Sequence, residues 1–405
     1  MSKIIPEINL AIIGGGAAGF FAAINAARHV NGKIVIYEKS NKTLSKVKVS
    51  GGGRCNVTHA CFEQKELVTN YPRGEKELMG PFHTFMTYDT ITWFEEHGVK
   101  LKTEEDGRMF PITDNSQTII DCFENEIKKN NIQLELHKDI KDFDKTNNGF
   151  EIYFADGSTV LTKTLIICTG SSERIWELLN KKGIETVKPV PSLFTFNFKN
   201  KKFNDLMGLS IPLANVQISD SAFQAQGPLL FTHWGFSGPA VLKLSAWAAQ
   251  WLAHKNYKFQ IEIDFTGKQN TEEVLNDLQN LKTNFPSKIC KNIHLTYVPK
   301  RLWEVLCDEL NISEKRITDL TKNEMNSFIE LLTNFKVNIN GKSTFKEEFV
   351  TCGGVDLKEV NMKTLESKKI PGLYFAGECL NIDAVTGGYN FQAAWTTGYI
   401  AGTQP

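Results

Sequence analysis

Residues 8–38 open with Ile8-Asn9-Leu10-Ala11-Ile12-Ile13-Gly14-Gly15-Gly16-Ala17-Ala18-Gly19 and close with Lys33-Ile34-Val35-Ile36-Tyr37-Glu38. An apolar run, a glycine turn, an alanine-rich stretch and a second apolar run follow in order. That order predicts strand, turn, helix and strand, the start of a buried parallel sheet. In Gly14-x-Gly16-x-x-Gly19 the first glycine permits a tight turn and the second lets backbone N–H groups approach a pyrophosphate. The third allows the helix to pack closely on the strand, and the helix N-terminus favours negative charge. Glu38 follows Gly19 by 19 residues, where a carboxylate can accept from ribose hydroxyls. A glycine-rich structural turn is the alternative, and the strand–helix–strand–Glu context argues against it.

Working outward, glycines gather again at Gly51–Gly53, Gly170, Gly353-Gly354, Gly377 and Gly387-Gly388, all within the first 170 or the last 55 residues. A ligand site built from both chain ends, with an insertion between them, produces that distribution. We therefore expect residues 1–191 and 341–405 to form one discontinuous domain. Its expected elements include a helix over 76–97, a helix from Ser116 to Lys129, and strands at 132–136, 149–154, 158–160 and 164–168. Asp156-Gly157 marks a hairpin turn. Alternating patterns at 193–198 and 211–218 predict antiparallel strands, and 238–253 reads as a helix with Pro239 in its first turn. The β section spans 192–270 with about 335–340. A Lys/Glu/Leu-rich helical section spans 271–334, and strand chemistry returns near 345–351.

Composition narrows the function classes. The 405 residues carry 46 Lys+Arg and 46 Asp+Glu, a net charge of zero, which supplies no field to hold a polyanion. Nucleic acid and an acidic membrane surface are therefore not expected as main partners. Eight cysteines with no CxxC pair suggest neither a disulfide framework nor a zinc site, and no metal is expected. Residues 10–27 mimic a signal peptide, but glycines interrupt the apolar core, and no purely apolar run reaches membrane-spanning length. The expectation is a soluble cytoplasmic protein with a small-molecule substrate; nothing in the sequence sets its oligomeric state.

Two further stretches carry chemistry. Three consecutive glycines in Ser50-Gly51-Gly52-Gly53-Arg54-Cys55-Asn56 cost backbone entropy, so a ligand pressed on the backbone is expected, with Arg54 and Asn56 as anchors. A mobile surface loop is the other reading. Cys55 is either a redox thiol or a packed side chain. Near the other end, Gly372-Leu-Tyr-Phe-Ala-Gly377-Glu378 is a strand ending in glycine and an acid. Asp383, Thr386-Gly387-Gly388-Tyr389-Asn390 and a helix from Phe391 follow. This places a carboxylate beside a sugar-like chain and a helix N-terminus beside a ring, where its dipole favours negative charge on a reduced flavin.

With these motifs in hand, the chain resembles the two-dinucleotide-binding-domain flavoproteins. Within them it resembles a bacterial family of NAD(P)/FAD-dependent oxidoreductases that includes bile-acid-reducing flavoproteins and members called aminoacetone oxidases. The matching stretches are AIIGGGAAGFFAAI, KVSGGGRCNVT, GRMFP, ICTG, FTHWGFSGP, TCGGV and GLYFAGECLNIDAVTGGYNFQAAWTTG, from residue 11 to 402. Ser171 and Leu44-Ser45 depart from the family pattern. The resemblance implies an α/β fold: a Rossmann-like FAD-binding domain, interrupted by an antiparallel β-barrel-like section and a small helical section. It implies that Gly14, Gly16, Ala17, Ala18 and Gly19 hold the pyrophosphate and that Glu38 and Lys39 contact the adenosine ribose. Gly53, Arg54, Cys55 and Asn56 would line the flavin, and Thr169 and Gly170 would close over the adenosine. Gly377, Glu378, Asp383, Gly388, Tyr389, Asn390 and Phe391 would surround the ribityl chain and isoalloxazine.

Phe231-Thr232-His233-Trp234-Gly235-Phe236-Ser237 lies in the insertion, the expected roof over the flavin. His233 can donate a proton, because imidazole titrates near neutral pH, while Trp234 and Phe236 can stack on a planar substrate. A structural turn is the alternative. Only one nucleotide fingerprint is present and a redox CxxxxC is missing, so NAD(P)H is expected to dock transiently. The expected activity is a noncovalent FAD enzyme reducing an enone or ketone-like molecule. A flavin oxidase or monooxygenase, and a non-catalytic flavin sensor, are the alternatives.

Overall fold

The computed structural model describes residues 7–198, 200–268, 270–343 and 350–404. They divide into two compact units, residues 1–190 with 346–405, and residues 191–345.

The first unit is built on a nine-stranded sheet. Strands Gln133–Glu135, Ile34–Tyr37, Glu7–Ile13, Thr159–Ile167 and Leu373–Phe375 lie side by side and parallel. Ile12 pairs with Ile36 on one flank and Ile166 on the other, and Ile166 in turn pairs with Tyr374. Leu10 to Ile13 and Ile34–Tyr37 at the centre are buried at every position, which is why they read as continuous apolar runs, while the edge strand Gln133–Glu135 keeps exposed polar residues. The helices Ala17–Ala26, Thr87–Glu96, Gln117–Lys129 and Tyr389–Thr403 enclose an aromatic cluster. Its centre is Trp395, with Phe21, Phe94 and Phe123 at ring distances of 5.3, 5.8 and 5.6 Å. Gly398 and Gly402, one turn apart on the last helix, lie against the backbone of Ala18 and Ala22, so side chains there would push the two helices apart.

Several local expectations change. The helix expected over 76–97 is two, Met79–Thr84 and Thr87–Glu96, separated by extended backbone at Phe85 and Met86. Phe85 turns inward to stack on Tyr399 at 4.5 Å, and Asp89 caps the restart by accepting from Met86 N at 2.8 Å. The strands expected at 158–160 and 164–168 are one, Thr159–Ile167, because neighbours on both flanks carry the pairing through Leu161 and Thr162. Ser116 precedes its helix, but its hydroxyl donates to Lys48 O rather than capping. The helix expected over 238–253 breaks at Ala248 into Pro239–Trp247 and Ala249–His254. Of the strand expected near 345–351, residues 345–349 lie outside the described residues; Val350–Val355 is a strand.

The second unit is a seven-stranded antiparallel sheet with helices. Its order is Phe335–Asn340, Lys258–Asp264, Ser210–Ile218, Gln224–Phe231, Gly235–Ser237, Thr195–Asn197 and Lys342–Ser343. The helices Thr271–Asn284, Lys300–Glu309 and Lys322–Thr333 share the sheet's core, with Val274, Trp303 and Phe328 in one cluster with Phe231 and Phe265. The run 335–343 supplies both sheet edges, turning at Gly341 with φ +101°. The sheet therefore curls: Lys342–Ser343 pairs with Thr195 and Phe196, Asn197 N donates to Gly341 O at 3.1 Å, and among the described residues no ladder joins Phe335–Asn340 directly to Thr195–Asn197. Among the described residues no helix is long and apolar enough to cross a membrane.

Candidate functional site

The glycine turn between Ile13 and Ala17 divides its constraints in three. Gly14 adopts φ +115°, and a side chain there would collide with the Cys168 carbonyl. A Cβ on Gly19 would strike the Gly14 carbonyl, so the helix sits directly on the turn. A Cβ on Gly16 would meet nothing within 4 Å. Gly16 is also the N-cap of helix Ala17–Ala26 and no side chain caps that end. The open face of the turn thus carries unpaired helix N–H groups and their positive dipole end, a place for a diphosphate. Gly377, at φ +74°, lies so close to Ala18 that neither position has room for more. The two chain ends meet at this helix start.

Glu38 points back at the turn. Its Oε2 accepts from Gly15 N at 2.9 Å, and its Oε1 from Ser40 N and Ser40 Oγ at 2.9 and 2.8 Å. Three of its roughly four acceptor positions are filled by the protein. Lys39 is exposed. Thr169 Oγ1 is buried without a hydrogen-bond partner, and Gly170 beside it faces Glu378. Glu378 is ion-paired with Lys46 from the helical stretch Ser45–Gly53 and accepts from Thr351 N at 3.4 Å. Asn381 Oδ1 is a second buried oxygen with no partner, three residues beyond Glu378.

The glycine-rich segment 50–56 closes the helical stretch Ser45–Gly53. Helix Ser45–Gly53 kinks at Ser50, Gly51 and Gly52 adopt left-handed angles, and side chains on Gly52 or Gly53 would meet only open space. Arg54 lies over the Phe110 ring at 3.9 Å and pairs with Glu104 at 2.5 Å. Cys55 is fully buried and burial pushes its thiol up to about 12, which removes the thiolate a redox cysteine needs. In the orientation its neighbours select, the Asn56 amide accepts from Gly388 N at 3.0 Å and donates to Thr58 O at 3.0 Å.

Gly388, at φ +96°, starts helix Tyr389–Thr403. Tyr389 stacks on His59 at 4.6 Å, and Tyr71 donates to the Tyr389 carbonyl at 2.6 Å. Asn390 folds back on its own loop, bonding both N and O of Ala384, and Phe391 stacks on Trp395 at 5.4 Å. Asp383 is 0% exposed and bonds in a two-pronged pair to Arg73. Sequence reasoning missed Lys46, His59, Tyr71, Arg73 and Gln392. Gln392 alone had a local signal: a polar group on an otherwise apolar helix. Its Oε1 accepts from Thr58 Oγ1 and Thr90 Oγ1, and its Nε2 donates to Thr396 Oγ1.

In the second unit, Thr232 Oγ1 accepts from Trp234 N and Gly235 N, closing a tight turn that leaves His233 and Trp234 exposed. Phe236 is not available to stack on a substrate. It belongs to strand Gly235–Ser237, is 0% exposed, and stacks on Phe198 at 5.2 Å.

The dinucleotide features described above fit FAD: a diphosphate cradle at Gly16, an acid at the adenosine side, partnerless oxygens on Thr169 and Asn381, and a second helix start at Gly388. The family model described as HI0933-like protein Rossmann domain matches residues 8–404. The chain is 28% identical over 401 residues to the ribosomal RNA dihydrouridine synthase of Haemophilus influenzae, covering 96% of each chain. It is 29% identical to the Escherichia coli protein of the same name, over 96% of this chain and 95% of that one. It is 25% identical to the 3-dehydro-bile acid delta(4,6)-reductase of Clostridium scindens, covering 97% and 98%. The 3-ketosteroid-delta4-(5alpha)-dehydrogenase of Rhodococcus jostii RHA1 shares the fold at a TM-score of 0.54 and 12% identity, over 100% of this chain and 98% of that one.

Proposed function

The chain belongs to the HI0933-like Rossmann family, and from that premise we propose that it is an FAD-dependent reductase of a carbon–carbon double bond conjugated to a carbonyl. The observation that carries the reading is the open cradle at Gly16, whose neighbours Gly15 and Ala18 are met by Glu38 and by Gly377. Bound FAD supplies the two-electron relay between a nicotinamide donor and the substrate. The protein's own part is to bind and orient. Helix Ala17–Ala26 meets the diphosphate with its N–H groups, Glu38 accepts a ribose hydroxyl at its remaining site, and Thr169 donates a hydrogen bond on the adenosine side. Lys39 adds charge there, and Gly170 leaves room for the ribose.

The substrate class we favour is a uracil base within ribosomal RNA, as the names of the two bacterial synthases suggest. Uracil is itself a conjugated carbonyl. Overall, NAD(P)H and one proton convert it to the dihydro base and NAD(P)⁺; the hydride equivalent ends on the carbon β to the carbonyl and the proton on the α carbon. The neutral net charge opposes capture through phosphates, but it does not oppose recognition through the base. His233 is our proposed donor of that proton. Its substitution by Ala should slow substrate reduction by about 100- to 10,000-fold while leaving bound FAD and nicotinamide oxidation largely unchanged.

A second reading, favoured by the Clostridium relative, is reduction of a small hydrophobic enone. Incubating the FAD-loaded protein and NADPH or NADH with unmodified ribosomal RNA, then digesting to nucleosides, separates the two. Dihydrouridine detected by mass spectrometry supports the first reading. Turnover of a steroid enone with none of RNA supports the second, and peroxide formation without either product would indicate an oxidase.

A further inference from the structure

Consecutive residues from Asn56 to His59 each bond to the last helix, Tyr389–Thr403, or to the turn before it. In the orientation its neighbours select, Asn56 accepts from Gly388 N at 3.0 Å, and Val57 O accepts from Trp395 Nε1 at 2.8 Å. Thr58 Oγ1 donates to Gln392 Oε1 at 2.6 Å, and His59 Nδ1 lies 3.0 Å from Gly387 O. A carbonyl oxygen only accepts, so Nδ1 carries the proton and donates. Gly387 O and Gly388 N belong to one peptide unit. Asn56 and His59 therefore hold that peptide at both its ends, and it is the peptide that leads into the helix.

His59 is itself held. Its ring stacks on Tyr389 with centroids 4.6 Å apart and planes 23° from parallel. Strand Thr58–His59 pairs with Arg108–Pro111, and a Cβ on the neighbouring Gly107, at φ +85°, would fall 2.5 Å from His59 Nε2. Glycine at 107 thus leaves the ring its slot. The Nδ1–H donor is present whether or not Nε2 is protonated, so this hold is independent of the ring's charge. No side chain caps helix Tyr389–Thr403, and the N–H groups of Tyr389, Asn390 and Phe391 in its first turn have no intrahelical acceptor. Their direction is set by the peptide that His59 and Asn56 hold.

We propose that His59 is a positioning residue for the flavin. By fixing the Gly387 carbonyl it aims the helix N-terminus at the negative charge of the reduced ring, and so favours the reduced form. This role rests on FAD as the cofactor of the proposed function, and it adds to that function a residue acting through the 387–388 peptide. The imidazole offers two separable things, a donor at Nδ1 and an apolar face on Tyr389. Asparagine keeps a donor nitrogen at the same branch point and loses the face, whereas phenylalanine keeps the face and loses the donor.

The test uses the FAD-loaded full chain and its His59→Asn, His59→Phe and His59→Ala variants. Each is reduced anaerobically in equilibrium with a reference dye, and the flavin and dye absorbances give the reduction equilibrium. His59→Phe and His59→Ala should shift it about 3- to 30-fold toward oxidised flavin, while His59→Asn should stay within about 2-fold of the wild type. Melting temperature and the flavin-to-protein ratio report folding and loading; release of FAD by the two donor-less variants, with retention by His59→Asn, is the same loss read in the ratio. A ring that serves packing alone gives the reverse order, with His59→Phe like the wild type and His59→Asn impaired. That order, or the same equilibrium in all four proteins, would overturn the assignment. Neither RNA nor a steroid enters this titration, so failure to reduce either substrate sinks the proposed activity and leaves the role of His59 standing. A wild-type chain that takes up no FAD sinks both.

Discussion

Thr58 Oγ1 donates to Gln392 Oε1 across 2.6 Å, a buried bond between residues 334 positions apart. Gln392 also accepts from Thr90 Oγ1 at 3.0 Å and donates to Thr396 Oγ1 at 3.1 Å, so its amide joins the first hundred residues to the last helix. Fully paired, such a network orders what it touches; half-paired, it costs the desolvation of each abandoned group. Gln392→Leu strands two buried hydroxyls and should cost about 2–4 kcal/mol. Thermal unfolding checks it, with a shift of about 2–4 °C expected for each kcal/mol. The start of the last helix should loosen with it, so FAD should dissociate faster from this variant.

Gly16 and Gly19 make opposite predictions three residues apart. A Cβ at Gly16 meets nothing in the protein, and its φ of −97° suits any residue. Gly16→Val should therefore fold with near-normal stability and lose FAD, because the new side chain fills the diphosphate cradle. At Gly19 the added carbon strikes the Gly14 carbonyl, and Gly19→Ala should destabilise the protein by about 1–3 kcal/mol or more. Circular dichroism melts beside the flavin-to-protein absorbance ratio distinguish them. A stable, yellow Gly16→Val protein would remove the cradle from the account.

The buried pair Arg73–Asp383 ties the segment after Tyr71 to the C-terminal glycine motif. Arg73→Met leaves a carboxylate that is 0% exposed without its cation, and should cost about 3–5 kcal/mol. Asp383→Leu in the same chain should recover much of that loss, since an apolar pair of similar volume often replaces a buried ion pair at little cost. Urea denaturation of the wild type, the single variant and the double variant measures both effects.

How much of this was legible in the sequence follows from how local each constraint is. Gly14, Gly16, Gly19 and Glu38 were readable because the turn, the cradle and the helix contact lie within one strand–helix–strand unit. The break at Phe85–Met86 was not, since it is decided by where the Phe85 ring finds Tyr399, more than three hundred residues away. The partners of Glu378 and Asp383 are equally distant, and neither Lys46 nor Arg73 stands in a recognisable motif. Phe236 was read as a substrate platform with Trp234. Two positions along, the chain has passed from turn to strand, and the ring is in the core.

Cys55 makes a pH prediction. Burial raises its thiol pKa from an ordinary 9.0 to about 12, so the folded state holds the proton more tightly than the unfolded chain. Its contribution to stability is complete below pH 9 and is lost as the pH climbs toward 12. Iodoacetamide at pH 8 should leave Cys55 unlabelled in the native protein and label it after denaturation, as read by peptide mass spectrometry. Rapid native labelling would restore the redox-thiol reading.

The central claim, that this flavoprotein reduces a conjugated carbon–carbon double bond, is tested most directly by the oxidative half-reaction. The FAD-loaded protein is reduced anaerobically with one equivalent of dithionite and mixed in a stopped-flow instrument with unmodified ribosomal RNA, the absorbance near the flavin maximum being followed. The oxidised flavin spectrum should return without oxygen, with one dihydrouridine formed per flavin. A spectrum that stays bleached with RNA and with steroid enone alike, and returns only when oxygen is admitted, would contradict it.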